Sequence, residues 1–291
     1  MSTQCNENTG CSSCSSASGC DQANKEAHEQ KMIAQRLADI GRTFMVISGK
    51  GGVGKSSVAV NLAATLAGQG FKVGIMDADI HGPNIPKMLG VDGCKPVGGE
   101  GGIAPVAVTD NLRVMSIAFF LDSIDHAVIW RGPMKHGLIK QFIGEVAWGT
   151  LDYLIIDLPP GTGDEALSVS HVLKKVDGAV VVTTPQDVAL LDSRKSISFC
   201  REISIPRIGV VENMSGLYCP HCNELIDLFK SGGGERIARE MKVPFLGRIP
   251  LDPQIVMSTD DGRAYVTHNP DSKVAQAFTA VAEAWKKLLA G

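Results

Sequence analysis

The segment Gly49-Lys50-Gly51-Gly52-Val53-Gly54-Lys55-Ser56 restricts the fold of this 291-residue chain more than any other feature. It satisfies the pattern G-x-x-x-x-G-K-[ST], in which a glycine-rich loop joins a buried strand to the start of a helix. The apolar run Phe44–Ile47 precedes it, and apolar residues recur at helical spacing after it until Gly68 and Gly70. The segment therefore predicts a phosphate-binding loop, whose backbone N–H groups and helix N-terminus face an anion.

Two side chains add chemistry to this loop. Lys55 supplies a positive charge for the β- and γ-phosphates of a nucleotide, and Ser56 supplies a hydroxyl ligand for Mg²⁺. The alternative is a glycine-rich turn that happens to contain lysine. We expect the whole loop and the start of its helix to bind nucleotide, through Gly49, Lys50, Gly51, Gly52, Val53, Gly54, Lys55, Ser56 and Ser57.

The composition excludes several classes of protein. With 44% hydrophobic residues the chain can bury a full core, and a net charge of −3 gives no basic footprint for nucleic acid. No apolar run is long enough for a transmembrane helix. The N-terminus lacks a basic stretch followed by an apolar segment, so we do not expect a secretory signal. We therefore expect a cytoplasmic, reducing location, where eight cysteines are metal ligands or redox groups rather than disulfides.

Half of these cysteines lie in a segment unlike the rest. Residues 1–25 are rich in Ser, Gly and Asn and nearly free of large apolar side chains, which predicts a disordered tail. Four thiols in this tail suit one tetrahedral metal or one Fe–S cluster: Cys5, Cys11, Cys14 and Cys20. A tail with incidental cysteines, or a zinc site, is the alternative.

The remaining chain, 26–291, reads as one domain. A short helix over 26–42 leads into alternating buried strands and amphipathic helices, ending in a packing helix over 272–289. The glycine-rich stretch 92–111 is predicted to be a loop, with Cys94 as a bystander, and Cys200 is predicted to be an inert core thiol. This alternation predicts an α/β fold, a doubly wound, mostly parallel sheet between helical layers.

Carboxylates follow two of the predicted strands. Asp77 and Asp79 follow the second strand, and we expect Asp79 to orient or deprotonate an attacking water, while Asp77 has an alternative as a helix cap. The apolar run from Leu151 ends in Asp157, the Walker B form, whose carboxylate would hold Mg²⁺ together with Ser56. Gly161, shortly after it, is placed for a switch that senses the γ-phosphate.

A second cysteine motif, Cys219-Pro220-His221-Cys222, interrupts the α/β rhythm. It supplies two thiolates per chain, whereas a [4Fe–4S] cluster normally takes four. A twofold dimer that contributes two ligands from each subunit resolves the shortfall. A redox dithiol or a zinc module on an ordinary phosphate-loop enzyme is the alternative.

The order of these motifs resembles known families. The loop from Lys50 to Ser56 resembles the deviant phosphate loop of the MinD/ParA/nitrogenase-iron-protein class, which implies that Lys50 reaches the partner's nucleotide across a dimer. A solvated surface charge is the alternative for Lys50. Asn213, after a later strand, resembles the asparagine that binds the adenine base in that class. A role as a turn residue is nearly as well supported by the spacing. With the Cys219/Cys222 motif, residues ~30–291 resemble the Mrp/ApbC (Nbp-type) iron–sulfur cluster carrier ATPases. Cys11-x-x-Cys14-x5-Cys20 matches the last three cysteines of the tail motif in its cytosolic scaffold members, but Cys5 lies closer than in that pattern.

The resemblance implies an ATP-hydrolysing homodimer that uses ATP and Mg²⁺. It would bind a labile [4Fe–4S] cluster and pass it to apo iron–sulfur proteins, with no nucleic-acid or membrane partner. The rival is a MinD/ParA-type ATPase that positions cargo on membrane or DNA. The cysteines, and the scarcity of basic residues in the last helix, argue against that rival.

Overall fold

The computed structural model of the chain describes residues 22–99, 101–121, 132–173, 175–219, 221–222 and 224–290. The predicted tail therefore lies outside the described residues up to position 21, and with it lie Cys5, Cys11, Cys14 and Cys20.

The strands of the described residues are numbered in chain order. They are β1 Ile40–Ile47, β2 Val73–Asp77, β3 Val97–Gly99, β4 Gly102–Ala104, β5 Val106–Thr109, β6 Leu112–Ser116, β7 Leu151–Asp157, β8 Gly178–Thr183, β9 Ile208–Glu212, β10 Leu217–Tyr218, β11 Leu225–Ile226 and β12 Phe245–Arg248. Eight of them form one sheet in the order β12-β9-β8-β1-β7-β2-β6-β5. All neighbours in this sheet pair in parallel except β5 and β6, which confirms the predicted mostly parallel sheet.

The helices of the described residues are α1 Gln22–Ala38, α2 Lys55–Gly68, α3 Ile85–Met88, α4 Gly132–Gly144, α5 Asp164–Leu173, α6 Asp187–Glu202, α7 Gly233–Glu240, α8 Pro253–Asp260, α9 Tyr265–His268 and α10 Lys273–Ala290, with a 3-10 helix at Ile117–Phe120. The crossover from β1 through α2 to β2 runs one way along the sheet, and those through α4, α5, α6 and α7 run the other way. Since such crossovers are right-handed, α2 covers one face and the other four cover the opposite face. None of the described helices combines the length and the hydropathy needed to span a bilayer.

The core lies between these layers. Strands β2, β8 and β9 are buried at every residue, as expected for parallel strands covered on both faces. The C-terminal helix α10 closes one face, where the Trp285 ring meets Phe44 of β1 edge-on at 5.1 Å between centroids. The predicted packing role of this helix is confirmed.

Three predictions about the secondary structure were wrong. Helix α1 begins at Gln22 and ends at Ala38, because Ile40 and Arg42 pair with Leu151 and Tyr153 of β7 instead of continuing the helix. The stretch 92–111 contains the hairpin β3–β4 and strand β5, which gains its partner from the sheet edge β6. Beyond β12 the alternation stops, and α8, α9 and α10 follow one another.

Candidate functional site

The predicted phosphate loop connects β1 to α2 and depends on glycine at defined points. Gly52 and Gly54 have φ values of 79° and 78°, a left-handed conformation that favours glycine. A Cβ atom at Gly49 would overlap the backbone of Asp192 in α6, and one at Gly54 would overlap the amide of Asn213. The loop therefore packs closely on two neighbouring segments while its helix begins at Lys55.

Lys55, Ser56 and Asp157 form one buried cluster. The Lys55 ammonium lies 2.7 Å from Asp157 Oδ1, and Ser56 Oγ donates to Asp157 Oδ2 at 2.6 Å. Lys55 Nζ also donates to Ser56 Oγ at 3.1 Å, and the Asp157 side chain is only 1% exposed. The structure thus brings together the predicted magnesium ligands, Ser56 and Asp157, with a lysine ammonium beside them.

This donor set fits Mg²⁺. A carboxylate and a hydroxyl are the hard oxygen ligands that Mg²⁺ prefers, so Ser56 and Asp157 would be able to hold the ion. Burial raises the pKa of Asp157, and the adjacent Lys55 ammonium opposes that rise. A cation beside the carboxylate therefore stabilises its charged form, whether ammonium or metal.

The carboxylates after β2 lie in the same region. Asp77 pairs in register with Asp157 and accepts from Ser116 Oγ at 2.9 Å, and burial followed by the Asp157 charge raises its pKa to about 8. Asp79 is half-buried, and its Oδ1 accepts from the Gly82 N–H at 3.3 Å. Its charge contributes to the raised pKa of Asp157, as a group near the predicted metal position would.

The segment after β7 contacts the phosphate loop through its backbone. Gly161 has a φ of 97°, and its N–H donates to the Ser48 carbonyl at 2.8 Å. Ser48 Oγ in turn donates to the Lys50 carbonyl at 3.0 Å. The predicted switch glycine is therefore one hydrogen bond away from the loop that would hold the phosphates.

A cavity of about 240 Å³ opens beside the start of α2. Its lining residues are Gly54, Ser57, Met88, Asn213, Met214, Pro250, Leu251, Asp252, Ile255, Val256, Thr259 and Asp260. Asn213 is buried there, and its Nδ2 donates to the Val53 carbonyl at 2.9 Å. A largely apolar slot with an amide at its edge suits the base of a nucleotide whose phosphates lie on the loop.

Sequence reasoning missed the far wall of this cavity. Asp252 caps α8 by accepting from the Gln254 N–H at 2.9 Å, and it also accepts from the Tyr265 hydroxyl at 2.6 Å. Burial and the Asp252 carboxylate raise the pKa of Tyr265 to about 12. The cap signature Asp252-Pro253 predicts the start of α8. No local pattern predicts that Asp252 lines the same cavity as Asn213.

The cysteine motif lies on the hairpin β10–β11. The Cys219 N–H donates to the Glu224 carbonyl at 2.9 Å, Cys219 is half-exposed and Cys222 is exposed. Hydrogen bonds from the backbone of Cys222 and His221 lower the pKa of the Cys219 thiol, which favours a thiolate ligand. Among the described residues, no group of three or more His, Cys, Asp or Glu side chains is placed to hold a metal ion.

The other two described cysteines do not join this pair. Cys94 is exposed after α3, and Cys200 is buried in α6, where desolvation raises its pKa to about 12. The predictions of a bystander and an inert core thiol agree with these positions.

These features define a phosphate-loop NTPase of the doubly wound α/β class. The family described as ParA: NUBPL iron-transfer P-loop NTPase matches residues 39–286, and the chain belongs to it. The resemblance to iron–sulfur carrier ATPases is thereby confirmed.

Relatives of known name cover almost the whole chain. An iron-sulfur cluster carrier protein of Methanococcus maripaludis is 48% identical over 282 residues, which is 97% of this chain and 96% of that protein. The cytosolic Fe-S cluster assembly factor NUBP2 of Bos taurus is 48% identical over 251 residues, or 85% of this chain and 93% of that protein. A solved structure of a nucleotide-binding protein from Archaeoglobus fulgidus, in complex with ADP and containing cobalt, is 42% identical to this chain. The two structures match with a TM-score of 0.72 over 81% of this chain and 92% of that one.

Proposed function

We propose that this protein is an ATP-hydrolysing carrier that binds a [4Fe–4S] cluster through Cys219 and Cys222 and passes it to apo iron–sulfur proteins. The observation that carries the proposal is the joining of two sites in one domain. A phosphate loop with a buried Lys55–Asp157 pair adjoins a cavity suited to a nucleotide base, and Met214 of the cavity wall leads into the cysteine hairpin.

The residues of the loop perform the phosphate chemistry. Backbone N–H groups of the loop and the N-terminus of α2 hold the phosphates, and Lys55 moves its charge from Asp157 to the β- and γ-phosphate oxygens. Ser56 and Asp157 would hold Mg²⁺, which would supply positive charge beside the leaving phosphate. Asp79 orients the attacking water and accepts its proton. Burial and the Asp157 charge raise the pKa of Asp77, which makes it the weaker candidate for a carboxylate that stays charged.

A homodimer completes the cluster site. Cys219 and Cys222 provide half of the four thiolates that a [4Fe–4S] cluster takes, and a second copy provides the rest across a twofold axis. In this dimer Lys50 reaches the partner's nucleotide, as the resemblance of the loop to the deviant phosphate loop implies. A cluster held between subunits at an exposed hairpin is accessible to an acceptor, as a carrier requires.

The tail cysteines form a second iron site in this proposal. Cys5, Cys11, Cys14 and Cys20 bind a cluster of their own, separate from the domain. The carrier acts in the cytosol, as the name of the bovine relative states for that protein, on clients that are apo iron–sulfur proteins.

Anaerobic purification with iron, sulfide and zinc analysis tests the proposal. We expect iron and sulfide in equal amounts, ATP hydrolysis, and transfer of the cluster to a separable apo [4Fe–4S] protein. Stoichiometric zinc without iron would instead favour the structural-zinc reading. Sedimentation of the protein with liposomes or DNA in an ATP-dependent way would favour the positional ATPase.

A further inference from the structure

Residues 214–231, here called the cysteine segment, lie between the end of β9 in the main sheet and the start of α7. Met214 at its start lines the nucleotide cavity, and its hairpin carries Cys219 and Cys222. Whatever fixes the two ends of this segment therefore fixes how the cysteines sit relative to the nucleotide.

One buried carboxylate contacts both ends. Glu212, the last residue of β9, is 0% exposed, and its Oε1 accepts from the Gly232 N–H at 2.9 Å and from the Ser215 hydroxyl. Its Oε2 accepts from the Gly234 N–H at the start of α7. Ser215 lies at the beginning of the segment, and Gly232 follows its end, so a single side chain joins the two.

The environment of Glu212 explains why a carboxylate is tolerated there. A buried carboxylate is costly unless its oxygens are hydrogen-bonded and its charge is paired. The first N–H groups of α7 face it at the positive end of that helix, and Arg248 Nε lies 3.5 Å from Oε1. These partners hold the carboxylate in one position.

The backbone next to Glu212 links the segment to the cavity wall. The Ser215 N–H donates to the Ile249 carbonyl at 3.0 Å, and the Leu251 N–H donates to the Gly216 carbonyl at 2.8 Å. Leu251 lines the nucleotide cavity, as Met214 does. The cavity wall and the base of the cysteine segment therefore share one hydrogen-bonded layer.

We propose that Glu212 is a positioning residue that holds the cysteine segment in register with the nucleotide cavity, so that nucleotide binding is transmitted to Cys219 and Cys222. The assignment of the cavity to nucleotide and of the cysteines to the cluster rests on the proposed function. Glu212 acts through its hydrogen-bond partners, which are Ser215 and the residues at the start of α7.

Hydrogen exchange of the full-length, cluster-free protein, read by mass spectrometry, tests this role. In the wild type, ADP should slow exchange in peptides covering 214–219. Glu212→Gln replaces one acceptor oxygen with an amide that cannot accept from an α7 N–H. We expect exchange there to become about tenfold faster and the slowing by ADP to disappear. Peptides from β7 report global stability and should be unchanged.

Glu235→Gln is the matched control. Its carboxylate also pairs with Arg248, and with Arg239, but its side chain is 43% exposed, whereas that of Glu212 is 0% exposed. In the Glu235→Gln protein, peptides covering 214–219 should exchange, and respond to ADP, as they do in the wild type. Should Glu212→Gln fail to fold, Ser215→Ala removes one partner of Glu212 and should speed exchange in 214–219 by a smaller factor.

Wild-type exchange and a wild-type ADP response in Glu212→Gln would overturn the proposal, as would an equal effect in Glu235→Gln. In the fallback case, wild-type exchange in Ser215→Ala would overturn it. A wild-type protein that binds ADP, by calorimetry, without slower exchange in 214–219 would overturn the transmission. Absence of iron in the purified protein would sink the proposed function alone, because these measurements use cluster-free protein.

Discussion

The Lys55 ammonium lies 2.7 Å from Asp157 Oδ1, with both side chains almost completely buried. Lys55 opens α2 and Asp157 ends β7, so the pair joins the phosphate loop to the strand that carries the predicted magnesium ligand. Because both side chains are buried, water cannot solvate either charge, and each group needs an opposite charge beside it. Phosphate suits the lysine, and Mg²⁺ suits the carboxylate.

Replacing Lys55 tests the phosphate role. Lys55→Ala should lower ATP hydrolysis at least about a hundredfold, because the developing phosphate charge loses a fixed cation. Phosphate release at saturating ATP measures this. Lys195→Ala, which removes an exposed lysine paired with Asp192, is the control and should hydrolyse ATP normally. Hydrolysis by Lys55→Ala near the wild-type rate would assign the role to another residue.

Asp79 is the predicted water-positioning residue. Asp79→Asn keeps the size of the side chain but loses the proton acceptor, so hydrolysis should fall about a hundredfold or more while ADP affinity is retained. Calorimetry and phosphate release separate the two effects, and Asp92→Asn in an exposed loop is the control. A wild-type hydrolysis rate in Asp79→Asn would place the water elsewhere.

The tail cysteines are tested by truncation. Helix α1 begins at Gln22, so removing residues 1–21 takes away Cys5, Cys11, Cys14 and Cys20 and leaves the helix whole. The shortened chain should remain a folded ATPase with less iron per chain. Iron content equal to that of the full chain would exclude these cysteines as ligands.

Cys200 should resist alkylation in the folded protein. Burial raises its pKa from 9.0 to about 12, so between these values the native thiol keeps a proton that the unfolded thiol loses. Its contribution to stability is therefore complete below pH 9 and is lost as the pH rises toward 12. Iodoacetamide at pH 9 should modify exposed Cys94 and Cys222 but modify Cys200 only in urea. Native modification of Cys200 at the rate of Cys94 would contradict its burial.

Local patterns in the sequence were sufficient to predict most of the phosphate-binding and magnesium-binding residues. The loop glycines, Lys55, Ser56 and the run ending in Asp157 each carry their chemistry in neighbouring residues, and the structure brings them together. The strand Val106–Thr109 was missed because its pairing depends on the free edge of β6, which no local pattern reveals.

Long-range contacts set the limits of prediction elsewhere. Glu212 reads as an ordinary residue before Asn213, yet its partners lie 20 and 22 residues further on, at the start of α7. The far wall of the cavity likewise comes from residues after β12. Such contacts follow from the sheet order, in which β12 lies beside β9.

The central claim is that two copies share one cluster through Cys219 and Cys222. Anaerobic analytical ultracentrifugation with iron analysis, on the chain lacking residues 1–21, tests it most directly. The chain with Cys219→Ser and Cys222→Ser together should lose its iron and sediment as a monomer, whereas Cys94→Ser should remain an iron-containing dimer. A double-serine chain that still dimerises with the same iron per chain would contradict the shared cluster.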